Sequence, residues 1–571
     1  MSSNIHDDHI APGTVRLIDA NGELNVRHSE GHGDIVLVPT PSGLLAHFST
    51  DDPEDPLNWT KKRKLLQTAC MVMYTVMMVF PSAAVYSVAK PISTSTGISI
   101  TTINRGTGIM FLFYGWSTIV WQALALQYGK RPVYLVSAAA SVVIMAVAPM
   151  CRTSGTYLAI RIIQGFFGGP VESLCEISMT DIWFAHERPL YIALYGVSLG
   201  ASGKLAPVFS AFINSGMGWE WTLWWCAIGI GIAFVFCLLF MEETNYDRVP
   251  THSASPSSQA SLEAVDEPIL SSEKTVAKDG VTVGNPTSLD DKKGLEAQHP
   301  IDVAAAEVGQ VAYPRKTYWQ KLSVIDKKRP NRMLDIMWAP FKFFTFPVVV
   351  WAGLQYGLQG LVWPGVLNAT ASVTYTNSFY HFSSDAVGFA YFAAVVGMIL
   401  GSLWVTLAGP WLVIKLARRR GGVSEPEDIL WLFTASFVVV PFALILWGVG
   451  SQAHIHWFGL VFAQAILAIA STLCLSTAIQ YATSAYRDLS GELITTIILI
   501  RNTLSFAINY GINPWIEGMG TRNTFIMAAV IAFILNGTMF LMIPYGRRLR
   551  EHSARRYWTY VEQARAKGLG H

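Results

Sequence analysis

Twelve apolar segments of bilayer-spanning length dominate this chain of 571 residues and leave few folds open to it. Their limits are 65–89, 106–126, 132–150, 156–182, 189–213, 221–241, 343–366, 385–410, 429–450, 455–480, 491–515 and 523–544. A helix needs about 20 apolar residues to cross the hydrocarbon core, and most of these segments supply about 20 to 25. Inside lipid every backbone N–H and C=O must be bonded within the chain, so such segments are expected to be helices. The seventh is the least regular, being interrupted by Pro347, Pro364 and several glycines. Only 14% of the residues are charged, against about 25% in a soluble globular protein.

Charge and composition divide the rest of the chain. Residues 1–60 are polar and show no charged-then-apolar leader, so they read as a disordered cytoplasmic tail and insertion is expected to use the first span. Residues 61–241 form a first six-helix bundle and 337–545 a second. Between them, 242–336 is rich in Ser, Asp, Glu and Lys and reads as a mostly disordered linker. Its stretch from Tyr318 to Lys328 has the pattern of a short helix lying on the membrane. Residues 546–571 read as a second tail. Lys130, Arg131, Arg188, Lys415, Arg418, Arg487 and Arg547 all fall on one side of an alternating topology, which should be cytoplasmic. Asn368 then starts an outward-facing glycosylation sequon, Asn368-Ala-Thr370. A basic loop follows the second span of each half, Tyr128-Gly-Lys-Arg-Pro132 and Lys415-Leu-Ala-Arg-Arg-Arg420. The expected fold is therefore all-α, with twelve transmembrane helices in two six-helix pseudo-symmetric bundles.

Several function classes drop out. A net charge of +2 gives no reason to expect nucleic acid as a partner. The six cysteines have neither metal-ligand spacing nor a disulfide pattern. No nucleophile–base pair, metal cluster or phosphate loop stands out, so neither an enzyme nor a cofactor is expected. The partners expected are the lipid bilayer, a small organic substrate and protons, with the chain working as a monomer.

Charges inside a span usually face a bundle interior or a wet cavity. Arg161, Gly165, Gly168, Glu172 and Glu176 share one face of the fourth span. Arg161 and Glu172 are about 16 Å apart along a helix axis and cannot pair. Glu172 and Glu176 are about 6 Å apart, too close to ionise together without compensation, which suits a proton site. Pro170 is expected to kink the helix. Lys204 in the fifth span is the expected neutralising partner for either glutamate. Arg501 in the eleventh span has no acid at mid-depth in its own half, so it faces either backbone groups or an anionic part of a substrate. Gln355, Tyr356, Gln359 and Trp363 recur at helical spacing, which suits a cavity wall or packing between helices. Asn509 is a further candidate.

These motifs resemble those of the major facilitator drug:proton antiporters. Arg161-Ile-Ile-Gln-Gly-Phe-Phe-Gly-Gly169 resembles their fourth-helix motif, and Tyr128-Gly-Lys-Arg-Pro132 resembles the second half of their loop signature. The resemblance makes Gly129, Lys130 and Arg131 a cytoplasmic gate loop. Its first half is missing, with Gln122 where glycine is expected and Leu126 where a latching aspartate is expected. The fifth-helix antiporter motif survives only as small residues, Ala206-Pro207-Val-Phe-Ser210-Ala211. Asp52-Pro-Glu-Asp-Pro-Leu-Asn-Trp59, His186-Glu-Arg188, Glu242-Glu-Thr-Asn-Tyr246 and Arg501-Asn-Thr-Leu-Ser-Phe506 resemble a fungal branch that includes a histidinol and polyamine permease.

The resemblance implies the major facilitator fold and proton-coupled export of a metabolite, toxin or drug, with Glu172 or Glu176 holding the proton. Uptake of organic cations such as polyamines is the alternative, and a non-transporting membrane sensor is a second. The plasma membrane is the expected location, the vacuolar membrane the alternative.

Overall fold

A computed structural model describes residues 11–16, 37–40, 43–46, 54–184, 187–246, 321–323 and 331–566. Residues 1–245 and 316–571 form one unit, and a second, 246–315, lies almost wholly outside the described residues. Most of the stretch expected as a surface helix, from Tyr318 to Lys328, also lies outside them.

Helices begin where a polar cap releases the chain into an apolar run. Helix α1 (Lys61–Thr96) stops at Gly97, whose φ of 73° ends it. Ser99 then caps α2 (Ile100–Tyr128), accepting the Thr102 amide at 3.2 Å. After Gly129 comes α3 (Lys130–Val147), and a Thr153–Thr156 capping box opens α4 (Ser154–Gly168). The first half closes with α5 (Pro170–Ile182), α6 (Arg188–Met217) and α7 (Trp219–Phe240). In the second half come α8 (Met333–Lys342), α9 (Pro347–Gly357), α10 (Trp363–Tyr375) and α11 (Ser384–Arg419). They are followed by α12 (Ser436–Gln452), α13 (Trp457–Ala485), α14 (Ser490–Gly537) and α15 (Met539–Ala566). One apolar core draws its buried residues from Trp59 to Met241, and two more come almost entirely from the second half.

Among the described residues nine helices are long and apolar enough to cross a membrane, or ten if a bent pair counts as one span. That pair is Met333–Thr345 and Pro347–Tyr375, bent by 93°, so α8 lies across the span that follows it. Its Leu334 and Trp338 are exposed, as suits a membrane-surface helix. The expected fourth span is two short helices, α4 and α5, joined through Gly169 at helical φ −52° and ψ −37°. Pro170 has no amide to donate, which interrupts the ladder there. In α14 the backbone turns at Gly520 (φ 75°, ψ 156°), separating two legs. These breaks are consistent with twelve spans.

Described parts of both tails pack against the second half, residues 11–16 of the tail expected to be disordered among them. Residues 11–16 run along the second half, with Val15–Arg16 pairing antiparallel to Val423–Ser424. Gly13, at φ +86°, lies so close to Ser484 that a Cβ would sit 2.4 Å from its carbonyl oxygen. Arg550, fully buried, donates to the Pro12 carbonyl, to Glu425 at 2.5 Å and to Glu427 at 2.7 Å. The C-terminal tail continues α15 as a packed helix, with Tyr557 donating to Asp488 at 2.7 Å. Alternation of apolar and polar residues in such short pieces is too brief to signal docking.

The basic end of the first half is held by acids. Lys130 pairs with Asp181 at the end of α5, where the family resemblance had led one to look to position 126. Glu243 accepts the Lys130 and Arg131 amides, both at 3.0 Å, and so caps α3. Burial pushes the Glu243 carboxyl above its ordinary range, while these backbone amides draw it back. Arg63 binds Glu242 and Glu54 at 2.5 and 2.9 Å. All of this turns on Gly129, whose φ is 116° and where a Cβ would lie 2.6 Å from the Glu243 Oε2. Replacing Gly129 with alanine should cost about 1–3 kcal/mol of stability. The thermal midpoint of the purified protein measures it, and an unchanged midpoint would mean the loop can relax around a side chain.

Candidate functional site

Small residues bring three helices into close approach at mid-depth. On the α4–α5 side, a Cβ at Gly165 would lie 2.4 Å from the Met110 carbonyl of α2, and one at Gly169 would lie 2.0 Å from Ser117 Oγ. Helix α2 in turn carries Gly108 and Gly115, where a Cβ would meet Asn509 at 2.9 Å and Asn502 at 2.5 Å on α14. Such stripes let backbones pack in a membrane where apolar burial drives little association. The result sets α5 of the first half against α14 of the second.

Glu172 and Arg501 meet there as a buried ion pair, each side chain 6% exposed. Arg501 also donates to Tyr356 Oη at 2.9 Å and to Asn502 Oδ1 at 3.4 Å. Its guanidinium lies 5.0 Å from the centre of the Tyr356 ring. This corrects two expectations. Arg501 faces an acid of the other half instead of backbone or substrate, and the partner of Glu172 is Arg501 instead of Lys204. Glu176, also buried, has no ion pair or hydrogen bond among the described residues.

Arg161 takes no part in that pair, as its distance along the helix requires. It bonds Tyr157 Oη at 3.1 Å and Gln164 Oε1 at 2.9 Å, and it lines a small cavity whose walls all come from the first half. Lys204 lines a different cavity, between α6 of the first half and α10, α11 and α13 of the second.

The polar stripe of the seventh span divides. Tyr356 faces Arg501, but Gln355 donates to the Leu535 carbonyl at 2.8 Å and Gln359 to Asn536 Oδ1 at 2.5 Å. Those two amides therefore tie their helix to the second leg of α14. Trp363 is buried in the apolar core, its indole N–H without a partner among the described residues. Asn509 donates to the Ser505 carbonyl at 2.8 Å, where Gly108 meets α14. The expectation that Asn368 lies outside, between the seventh and eighth spans, is also corrected, since it lies within α10 on the wall of the Lys204 cavity. Thr370 returns its hydroxyl to the Leu367 carbonyl at 2.9 Å, so the helix runs on past the expected end of the span.

Further contacts join the halves at both ends. Lys90 binds the Thr376 carbonyl and hydroxyl at 3.3 and 3.0 Å, and Asn104 donates to Asn513 at 3.4 Å. Nearer the basic end Thr495 donates to Gln122 at 2.5 Å. Tyr391 and Gln464, on the Lys204 cavity, were not singled out in the sequence, where they are lone polar residues in apolar spans.

Comparison with known proteins agrees with this architecture. The chain is 26% identical to an uncharacterized MFS-type transporter of Schizosaccharomyces pombe, over 96% of this chain and 94% of that one. It is 24% identical to Protein HOL1 of Saccharomyces cerevisiae, covering 97% and 98% of the two chains. It is 19% identical to the MFS antiporter QDR3 of Candida albicans, covering 89% and 82%. In fold it is similar to a solved POT family transporter in complex with 5-aminolevulinic acid, with a TM-score of 0.51 and 14% identity over 84% of this chain and 96% of that one. The family description "Major Facilitator Superfamily" matches residues 69–509, most of the chain, and the chain belongs to that superfamily.

Proposed function

We propose that this transporter exports a small organic molecule in exchange for protons, by alternating access between its two halves in the plasma membrane. The observation that carries this is the Glu172–Arg501 pair between α5 and α14, with unpaired Glu176 one turn along α5. An unpaired carboxyl in a membrane interior carries a charge at high cost and a proton at low cost. Glu176 is therefore the proton carrier in this reading, and Glu172 is bonded to Arg501. When the halves part on one side, water reaches Glu176 and exchanges its proton. The contacts at either end, Lys90–Thr376 and Thr495–Gln122, would then break in turn. Export is favoured because one relative is named an MFS antiporter, and an efflux pump of Gibberella fujikuroi is 29% identical over 216 residues.

The polarity of a proton gradient separates export from uptake. Proteoliposomes carrying the chain, screened with fluorescent organic dyes and fungal metabolites, should accumulate a transported compound when the lumen is acid. Accumulation only when the outside is acid would instead mean uptake by symport. Glu176→Gln should abolish gradient-driven accumulation while exchange of labelled for unlabelled compound persists. Unchanged gradient-driven accumulation in that variant would remove Glu176 as the proton carrier.

A further inference from the structure

The cavity around Lys204 has a donor set that the proton pathway does not use. Its walls come from α6 in the first half and from α10, α11 and α13 in the second. Lys204 makes no ion pair or hydrogen bond among the described residues: of the two glutamates expected to neutralise it, Glu172 is bonded to Arg501, and Glu176 forms no ion pair with it. Tyr391, 2% exposed, lines the same cavity with its hydroxyl unpartnered among the described residues. Gln464, 4% exposed, accepts from the Tyr375 hydroxyl at 3.2 Å through Oε1. That bond orients the amide and leaves its Nε2 as a donor without a partner. Leaving several buried donors unmade is costly, and an unpaired ammonium in a membrane interior more so. Lys204, Tyr391 and Gln464 therefore line one cavity with no acid in its lining, two of them carrying a buried donor that has no partner among the described residues.

We propose that this cavity binds the carboxylate of an organic substrate. A carboxylate has two oxygens with about four acceptor positions, enough for all three donors and for the Asn368 amide beside them. One lysine balances one negative charge, which favours a carboxylate over a doubly charged phosphate. The remaining wall includes Pro364, Leu367 and Leu467, and the closed cavity of about 20 Å³ has room for about one water, so the apolar body attached to that head group enters only as the halves part. Because both halves contribute, the bound anion would bridge them. This assignment names the substrate class for the transport reading above and rests on it.

The test uses the full chain in lipid nanodiscs without any proton gradient. The probes are benzoate, octanoate and 2-naphthoate, each beside its uncharged primary amide, with thermal stabilisation and calorimetric titration as readouts. Carboxylates of this series should bind and their amides should not. Lys204→Gln should weaken carboxylate binding about tenfold or more, as expected for loss of a charged hydrogen bond. Lys204→Arg should retain it. Gln464→Glu places an acid against Lys204, and should abolish binding while keeping or raising the thermal midpoint, so a lost signal there is not loss of fold. Equal binding of acids and amides, full binding in Lys204→Gln, or no stabilisation by any carboxylate would each overturn the subsite. Carboxylate binding without gradient-driven flux of any compound would instead contradict the transport reading alone.

Discussion

A single buried charge pair, Glu172 against Arg501, is the interaction on which the arrangement of the two halves depends. Neither charge is tolerable alone at mid-membrane depth, so each half carries a group that only the other can satisfy. The contact exists because glycines on α4 and α2 let three helices approach closely enough for the side chains to meet. Tyr356 and Asn502 then fill two of the remaining guanidinium donors and hold the fork in place. Sequence, packing and electrostatics here form one chain of cause: small residues permit the approach, and the approach makes the charges affordable.

The same logic explains why the two ends are built differently from the middle. Crossing contacts at the ends are neutral or involve one charge, such as Lys90 with the Thr376 carbonyl and Thr495 with Gln122. Such bonds contribute about 0.5–1.5 kcal/mol when neutral and about 1.5–3 kcal/mol when one partner is charged, and they can be exchanged for water when an end opens. Within the first half, by contrast, Lys130–Asp181 and the Glu243 cap keep the basic loop fixed to its own bundle. Exchangeable links at the ends of the halves, and strong links within the first half, suit rigid-body rocking about the buried Glu172–Arg501 pair.

Much of this was legible in the sequence, and the exceptions have physical reasons. Apolar runs located the spans because lipid forces them into helices, and spacing alone separated Arg161 from Glu172. The partner of Glu172 lies 329 residues away in another half, and one-dimensional spacing holds no record of that. Gln355 and Gln359 repeat at helical intervals whether they face a cavity or a neighbouring helix, and here they face the second leg of α14. Asn368 read as lying beyond the seventh span because Asn, Thr and Ser look like the end of a span. Thr370 instead returns its hydroxyl to a preceding carbonyl, at 2.9 Å, and the helix continues to Tyr375, where Thr376 caps it. Asp181 stands 51 residues from Lys130, at the end of a span that packs beside the loop, and spacing along the chain holds no record of that either.

The most direct measurement of the central claim is a double-mutant cycle on thermal stability across the two halves. Glu172→Gln and Arg501→Gln should each destabilise the purified protein by about 3–5 kcal/mol, because each leaves an unmatched buried charge. The double variant should recover most of that loss, giving a coupling well above the level at which independent sites add. Additive losses would contradict the account, for they would mean that the two charges do not depend on each other for their burial.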